Sequence, residues 1–560
     1  MRTSRTILLV VPLALLGAAA CNEPLSVDNP NNPDRERVLR RAADVEALAG
    51  TLYQQVHAGT MGMNNATTAI GIYPQLLTAA FENTSGLANF GMGPRSGLAR
   101  QSISNARGNP YSVEQNFDFS QLQRTARTAA DILARTTEAN FTVGSAAGDL
   151  RLRAFTRFGY GVALGTAALT YDSVAIPRPD DDPAEIAPLA SAADAVTYAL
   201  EQLDSAITIA NSTAATGTGG FPLPATWLPG NPLSAADFVR LARSYKARLR
   251  ANVARTPQQR AAVDWTAVVA DAQNGILSDF RITMDPSTGW DVPWLQGTLH
   301  FRDVNWHQMT NYVIGMADIS GGYSSWLATD RDARSPFLIV TPDLRFPQGT
   351  TRAAQNAAPG KYLRNRPSGQ DPTAAGWSSS QYDHYRHRAF SDATRKGPFP
   401  VMTVTEIDML AAEGLLRAGS FAPAATLIDK TRTANGLPAV SGLGLTVTID
   451  ATGKSTGGPV PGGAACVPKV PAAPSYTTTV CGNLFEAMKW EKRMESAYAG
   501  YGIWFFDSRG WGDLPENTAL EWPVPYQEMD ARRTPFYDMG GSGGRSAAAP
   551  SNYGFGTGNR

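Results

Sequence analysis

Residues 484–513 read LFEAMKWEKRMESAYAGYGIWFFDSRGWGD. The stretch opens as a charged amphipathic helix in which Trp490, Met494 and Tyr498 interleave with Glu491, Arg493 and Glu495. It then passes Gly500 and Gly502 and ends in an aromatic corner of Trp504, Phe505, Phe506 and Trp511. So much charge beside so many rings suits either an active site or a structural clasp. The interleaving favours the clasp. Charges set between large apolar residues on one helix meet packed neighbours, and a partly buried charge demands a partner. Glu491, Arg493, Glu495 and Asp507 are therefore read as ion-pairing residues, and Trp504 and Trp511 as core. No nucleophile or metal motif stands beside them, so no catalytic residue is assigned.

Working outward, the chain has 560 residues with 49 basic and 49 acidic side chains, a formal net charge of +0. It lacks the basic surplus of a nucleic-acid binder. A hydrophobic content of 43% supports a core, while 52 Gly and 38 Pro require long loops between helices. A helical repeat can reach this length by stacking.

The N-terminus reads MRTSRTILLVVPLALLGAAA, with Arg2 and Arg5 before an apolar run too short to span a bilayer. Small residues 17–20 precede Cys21, so residues 1–20 resemble a lipoprotein signal peptide, with Ala18 where most lipoboxes carry Leu. Cys21 is the expected lipidation site, a palmitate-type anchor that attaches the protein to a membrane without crossing it. Residues 21–39 read as a polar tether. The other two cysteines, Cys466 and Cys481, are a candidate disulfide, as expected in an exported chain.

Helical periodicity places helices at Arg40–Val56, Phe117–Thr137, Asp149–Leu169 and Ala192–Ala210, the last capped by Ser191. Ser234 caps another helix beginning at Ala235, and a short one follows over Asp264–Gly275. Between 281 and 400 the helical period fades and Gly, Pro, Trp and Tyr become frequent. It returns after Pro400 as two helices separated by Gly419, a tetratricopeptide-like pair. Residues 439–483 read as a Gly/Pro-rich loop and 538–560 as a loose Gly/Ser-rich tail. The fold expected is mainly α: helix pairs over 40–280 and 400–537 in a superhelix, with a large loop-rich, aromatic-rich insertion at about 281–400.

Several segments, in order, resemble the SusD/RagB family of outer-membrane nutrient-binding lipoproteins. DVEALAGTLYQQV (44–56) resembles the family's first helix, and LRLRAFTRFGYGVAL its later "LRAxxYxxL" helix through Leu152, Arg153 and Ala154. EIDMLAAEGLLRAG resembles "ExxLxxAEA", with Met409 at the Leu position. The opening stretch resembles "ERRxELAxEGxRWxDLxRWG" through Glu491, Lys492, Arg493, Glu495, Ala497, Gly500, Asp507, Trp511 and Gly512, and departs from it at Ala499, Arg509 and the longer span from Gly500 to Asp507. WPVPYQEM (522–529) resembles "PIPxxEI". The resemblance implies a divergent member at the outer membrane, lipid-anchored and facing the cell surface. It would capture glycans and pass them to a SusC-like TonB-dependent transporter, with no covalent chemistry.

The recognition candidates lie mainly in the insertion: Trp290, Trp294, Trp306, Trp326, Tyr312, Tyr323, Trp377 and Tyr385 as stacking faces, Asn305 and Asn311 as hydrogen-bonding groups. Tyr73, with Phe81, marks a second region near the N-terminus. The same surface could grip a peptide. A helical-toroid carbohydrate-active enzyme and a protein-binding scaffold are the other readings. No metal or cofactor is expected; the run Asp180, Asp181, Asp182 could hold calcium but reads better as a solvated turn.

Overall fold

Helices that follow one another in sequence pack against one another in space. The computed structural model describes residues 39–62, 71–85, 91–138, 140–182, 185–212, 221, 223–293, 309–367 and 378–557. The first expected helix is two, α1 (Ala42–Gly50) and α2 (Leu52–Ala58), divided at Thr51, whose hydroxyl donates back to the Leu48 carbonyl at 2.7 Å. After the short α3 (Tyr73–Ala79) come α4 (Ser112–Thr136), α5 (Ala146–Thr170), α6 (Ala192–Ala210), α7 (Ala235–Asn252) and α8 (Trp265–Gln273). The series continues with α9 (Val404–Arg417), α10 (Phe421–Arg432) and α11 (Leu484–Ser496), and from α4 onward each lies against the next. This serial packing is the helix-pair superhelix that the periodicity predicts.

Local chemistry sets the boundaries. The Ser191 and Ser234 hydroxyls accept from the backbone N–H of Asp194 (3.1 Å) and Asp237 (3.2 Å), capping α6 and α7. Small residues let α5 sit close to both: a Cβ on Gly161 would stand 2.8 Å from the Ala199 carbonyl, and one on Gly165 2.5 Å from Leu249.

The insertion leaves and rejoins the helices at one place. Strands Phe280–Met284 and Gly397–Met402 pair antiparallel, with Met284 opposite Gly397. The stretch 439–483, expected as a loop, contains two small hairpins, Val447–Ile449 with Ser455–Gly457 and Lys469–Pro471 with Thr479–Cys481. Cys466 and Cys481 are disulfide-bonded, with 5.8 Å between their Cα atoms.

The tail corrects the sequence reading. Through residue 557 it is docked, because its few large residues are anchors. Tyr553 accepts from Lys489 Nζ at 2.9 Å and donates to Glu486, and the Ser551 hydroxyl donates to the Asp513 carbonyl at 3.0 Å. The Phe555 ring lies 4.9 Å from that of Tyr312. Met539 pairs with Ile103 through its backbone. The glycines here make turns between anchors, as Gly554 does at φ 70°.

The clasp is wholly buried. Every residue of α11 is inside, the chain turns through Tyr498 (φ 57°), Gly500 (φ 77°) and Gly502 (φ 64°), and α12 (Ile503–Trp511) follows, equally buried. Its charges other than Arg509 are paired. Arg345 bonds Glu491 (2.9 Å), Glu495 (3.2 Å) and Asp343 (2.8 Å). Arg260 bonds Glu413 (2.7 Å) and Asp507 (3.1 Å), and Asp507 also takes Lys492 (2.8 Å). Arg493 and Lys489 share Asp513 at 2.6 and 3.1 Å. The indole N–H of Trp511 donates to Glu413 (3.1 Å), and that of Trp504 to the Arg493 carbonyl (2.9 Å). Among the described residues no helix is long and apolar enough to cross a membrane.

Burial by itself raises the Glu413 carboxyl, but Arg260, Arg417 and Lys492 outweigh it and hold it at about 2. Glu413→Gln therefore leaves Arg260 under-neutralised, and urea unfolding at neutral pH is expected to show a loss of about 3–5 kcal/mol. Lys430→Ala, at the exposed pair with Asp408, should leave the midpoint almost unchanged.

Candidate functional site

The candidate stacking residues come together, but as a floor. Tyr312 stacks on Phe81 with centroids 4.2 Å apart, meets Trp326 edge-on at 5.0 Å, and Trp326 stacks on Tyr323 at 6.0 Å. Arg334 lies over Trp326 (4.3 Å) and Arg100 over Phe81 (4.9 Å). Phe81, from the second candidate region, and the rings of the insertion thus form one cluster, closed by Phe555.

This placement corrects the stacking roles. Tyr312, Tyr323 and Trp326 are at most 4% exposed, their faces covered by each other and by arginines. Trp290 is as buried, and packs elsewhere, against His57 and Tyr53. Tyr73 is buried against Tyr501 at 5.8 Å. Asn311 is buried too. None of these offers a ring face to solvent. Tyr385 is half-buried, with Arg364 and Arg388 4.4 and 5.3 Å from its centroid. Trp294, Trp306, Trp377 and Asn305 lie outside the described residues, as does Cys21.

What makes the place a candidate site is polar chemistry left unfinished. Buried polar groups are almost always hydrogen-bonded. Here Tyr73 Oη, Asn83 Nδ2, Ser85 Oγ, Asn311 Oδ1 and Trp326 Nε1 are all buried with no partner among the described residues. Asn83 and Ser85 follow Phe81 directly, and Asn311 precedes Tyr312, so most of these atoms border the aromatic cluster. Phe81 (φ 59°), Ser378 (φ 56°) and Tyr498 (φ 57°) take left-handed backbone that non-glycine residues rarely adopt. Ser378 accepts from Thr310 Oγ1 (2.9 Å) and the Asn311 N–H (3.2 Å), and Tyr498 donates through its N–H to Glu82 Oε1 (2.6 Å). All three strained residues therefore adjoin the segments that carry the unpartnered groups. Asn83 and Ser85 had no sequence signal; NTSG reads simply as a turn.

Charges behind this floor are also unlike those of the clasp. Burial raises the carboxyls of Glu82, Glu114 and Asp118 to about 8, with Glu114 adding to Asp118. Their partners are neutral: Glu114 takes Gln75 Nε2 (2.6 Å) and the Gly91 N–H (3.0 Å), and Asp118 takes Tyr501 (2.6 Å) and the Ile72 N–H (3.2 Å). Burial likewise lowers Arg100 to about 9 and Arg95 to about 10. Both guanidiniums hydrogen-bond to backbone carbonyls.

At the possible calcium turn, Asp180 and Asp182 are exposed and Asp181 accepts from the Arg178 N–H at 2.6 Å. Among the described residues no group of three or more His, Cys, Asp or Glu is placed to hold a metal ion.

Known proteins resemble this chain in shape and hardly at all in sequence. No family model and no curated protein matches it. A SusD superfamily protein from Parabacteroides distasonis superposes with a TM-score of 0.54 at 11% identity, covering 88% of this chain and 97% of that one. A SusD-like carbohydrate binding protein from Bacteroides vulgatus gives 0.48 at 10% identity over 92% and 94% of the two chains. The first match establishes that this chain has the SusD fold; at such identity it speaks for the fold alone.

The buried carboxyls bind protons more tightly folded than unfolded, so the stability they contribute is full below their unfolded values and declines as pH rises from about 4 toward 8. Glu114→Gln cannot ionise and keeps an acceptor for Gln75 and Gly91. In urea unfolding it should gain on the native chain at pH 8 relative to pH 5; an equal difference at both pH values would contradict the raised carboxyl.

Proposed function

We propose that the protein is a cell-surface glycan-binding lipoprotein that captures oligosaccharides and passes them to a SusC-like TonB-dependent transporter of the outer membrane. One observation carries the reading: buried amide, hydroxyl, phenol and indole groups without partners, bordering a rigid aromatic floor. A free chain keeps such groups unpaired at a cost of about 1–3 kcal/mol each, and a ligand rich in hydroxyls repays it. A sugar supplies hydroxyl donors and acceptors around its ring, the chemistry that would complete these groups. The SusD fold supports the reading, as does the order of the sequence motifs.

The role is binding and hand-over. The carboxylates near the floor are each engaged by neutral donors, Glu82 by the Tyr498 N–H, Glu114 by Gln75 and Asp118 by Tyr501. Lipidation at Cys21 after cleavage of residues 1–20 would tether the domain through the polar segment 21–39 and hold it against the transporter.

Titration calorimetry of the full chain against maltoheptaose, cellohexaose, xylohexaose and a casein digest tests this. At least one oligosaccharide should bind, and the digest should not. Ser85→Ala and Asn83→Ala should weaken that binding by roughly tenfold each while leaving unfolding midpoints equal or raised, since each removes an unsatisfied donor. Oligosaccharide affinity unchanged in both variants would sink this assignment of the site.

A further inference from the structure

A cavity of about 320 Å³ opens on another part of the molecule, between the start of the 257–261 helical turn, the turn at 452–454, the end of α12 and the segment 547–552. It shares no lining residue with the aromatic cluster. Arg509 forms part of its wall. That side chain is 1% exposed, and its guanidinium donates to two backbone carbonyls, Leu520 (2.7 Å) and Asn252 (2.8 Å). Its Nε–H has no partner among the described residues. Among the described residues it forms no salt bridge, whereas the other fully buried cations of the clasp, Arg260, Arg345, Lys489, Lys492 and Arg493, all do. Its rings of contact, Phe506 and Phe505 at 4.8 and 5.6 Å, add only a weak attraction.

The remaining charge on the wall does not compensate Arg509. Arg255 is engaged by Glu521 and by the carbonyls of Ala168 and Tyr171. Lys454, an exposed residue of the same lining, forms no salt bridge among the described residues, although Asp450 shares its turn. The cavity therefore carries an excess of positive charge with a free, desolvated donor. Burial, followed by the charge of Arg255, pushes the Arg509 guanidinium well down from its ordinary value, and the more distant carboxylates of Glu521 and Asp507 offset this only in part.

We propose that this cavity binds a small carboxylic acid, its carboxylate between Arg509 and Lys454 and its apolar stem against Leu514, Leu520 and Ala548. The lining carries both kinds of group, Arg509 and Lys454 as donors and Leu514, Leu520 and Ala548 as aliphatic surface. An inorganic oxyanion, hydrated all round, would have to give up water on the aliphatic surface for nothing, whereas a carboxylate with a short alkyl stem matches both kinds of group. Association is a plain ion pair with no change of covalent bonds. It is independent of the glycan reading, and either can stand without the other.

Saturation-transfer NMR with butyrate on the full chain tests the inference. The butyrate methyl should receive saturation, sulfate at equal ionic strength should not displace it, and an oligosaccharide bound at the aromatic site should not either. Lys454→Glu reverses the charge at an exposed position, and Ala549→Trp fills the mouth from another exposed position, so both variants should fold. Each should weaken the transfer at least about tenfold. No transfer to butyrate in the native chain, undiminished transfer in both variants, or displacement by sulfate would overturn the assignment.

Discussion

Pairing of buried charge between distant parts of the chain is the constraint on which the rest of the structure depends. Arg260, with no exposed side-chain surface, holds Glu413 of α9 and Asp507 of α12 together, and Asp507 also holds Lys492 of α11. Arg345 from the insertion ties Glu491 and Glu495 of α11 to Asp343. These partners are separated by about 150 residues or more in several cases, so the pairs form only when the two halves of the superhelix have met. A buried ion pair contributes little net stability against an apolar substitute, but a broken one costs several kcal/mol. The network therefore penalises mispacking: a slip of α11 by one residue would remove the partners of Lys489, Glu491, Lys492, Arg493 and Glu495 at once. What the clasp does for the molecule is specify one arrangement.

Against that background the site is recognisable by the opposite condition. In the clasp the buried charges other than Arg509 find a counter-charge among the described residues. Around Phe81, Tyr312 and Trp326 hydrogen-bonding atoms stay unpaired, carboxyls are held up by burial, and three non-glycine residues adopt left-handed backbone. Each feature is destabilising, and the paired network is what the fold sets against them. The combination of the three at one place is what distinguishes the candidate site from the clasp.

Much of the scaffold could be read from the sequence because its determinants are local. Ser191 and Ser234 cap the helices they precede, Gly419 ends α9, and the alternation of charge with Trp490 and Met494 identifies α11 as an interior helix. The site was harder because its determinants are not local. Tyr312, Tyr323 and Trp326 look like exposed binding aromatics in a stretch without helical period; Tyr312 is covered by Phe81 and Phe555, more than 200 residues away on either side, and Trp326 and Tyr323 by Tyr312, Arg334 and Phe337. The tail misleads in the same way: its Gly and Ser content suggests looseness, while Tyr553 and Phe555 anchor it. Asn83 and Ser85 carry no pattern at all, since a missing hydrogen bond is a property of surroundings. The same holds for Arg509, whose lack of a carboxylate is visible only once Asp507 is seen to be shared by Arg260 and Lys492.

The central claim is that the unpartnered groups beside the aromatic floor, rather than the charged clasp, meet the ligand. Hydrogen exchange followed by mass spectrometry, on the full chain free and saturated with whichever oligosaccharide it binds, tests this most directly. The account predicts new protection in peptides covering 81–85 and 309–312, with 484–513 unchanged because it is already buried and paired. Protection confined to the clasp, or none at 81–85 and 309–312 under saturating ligand, would contradict it.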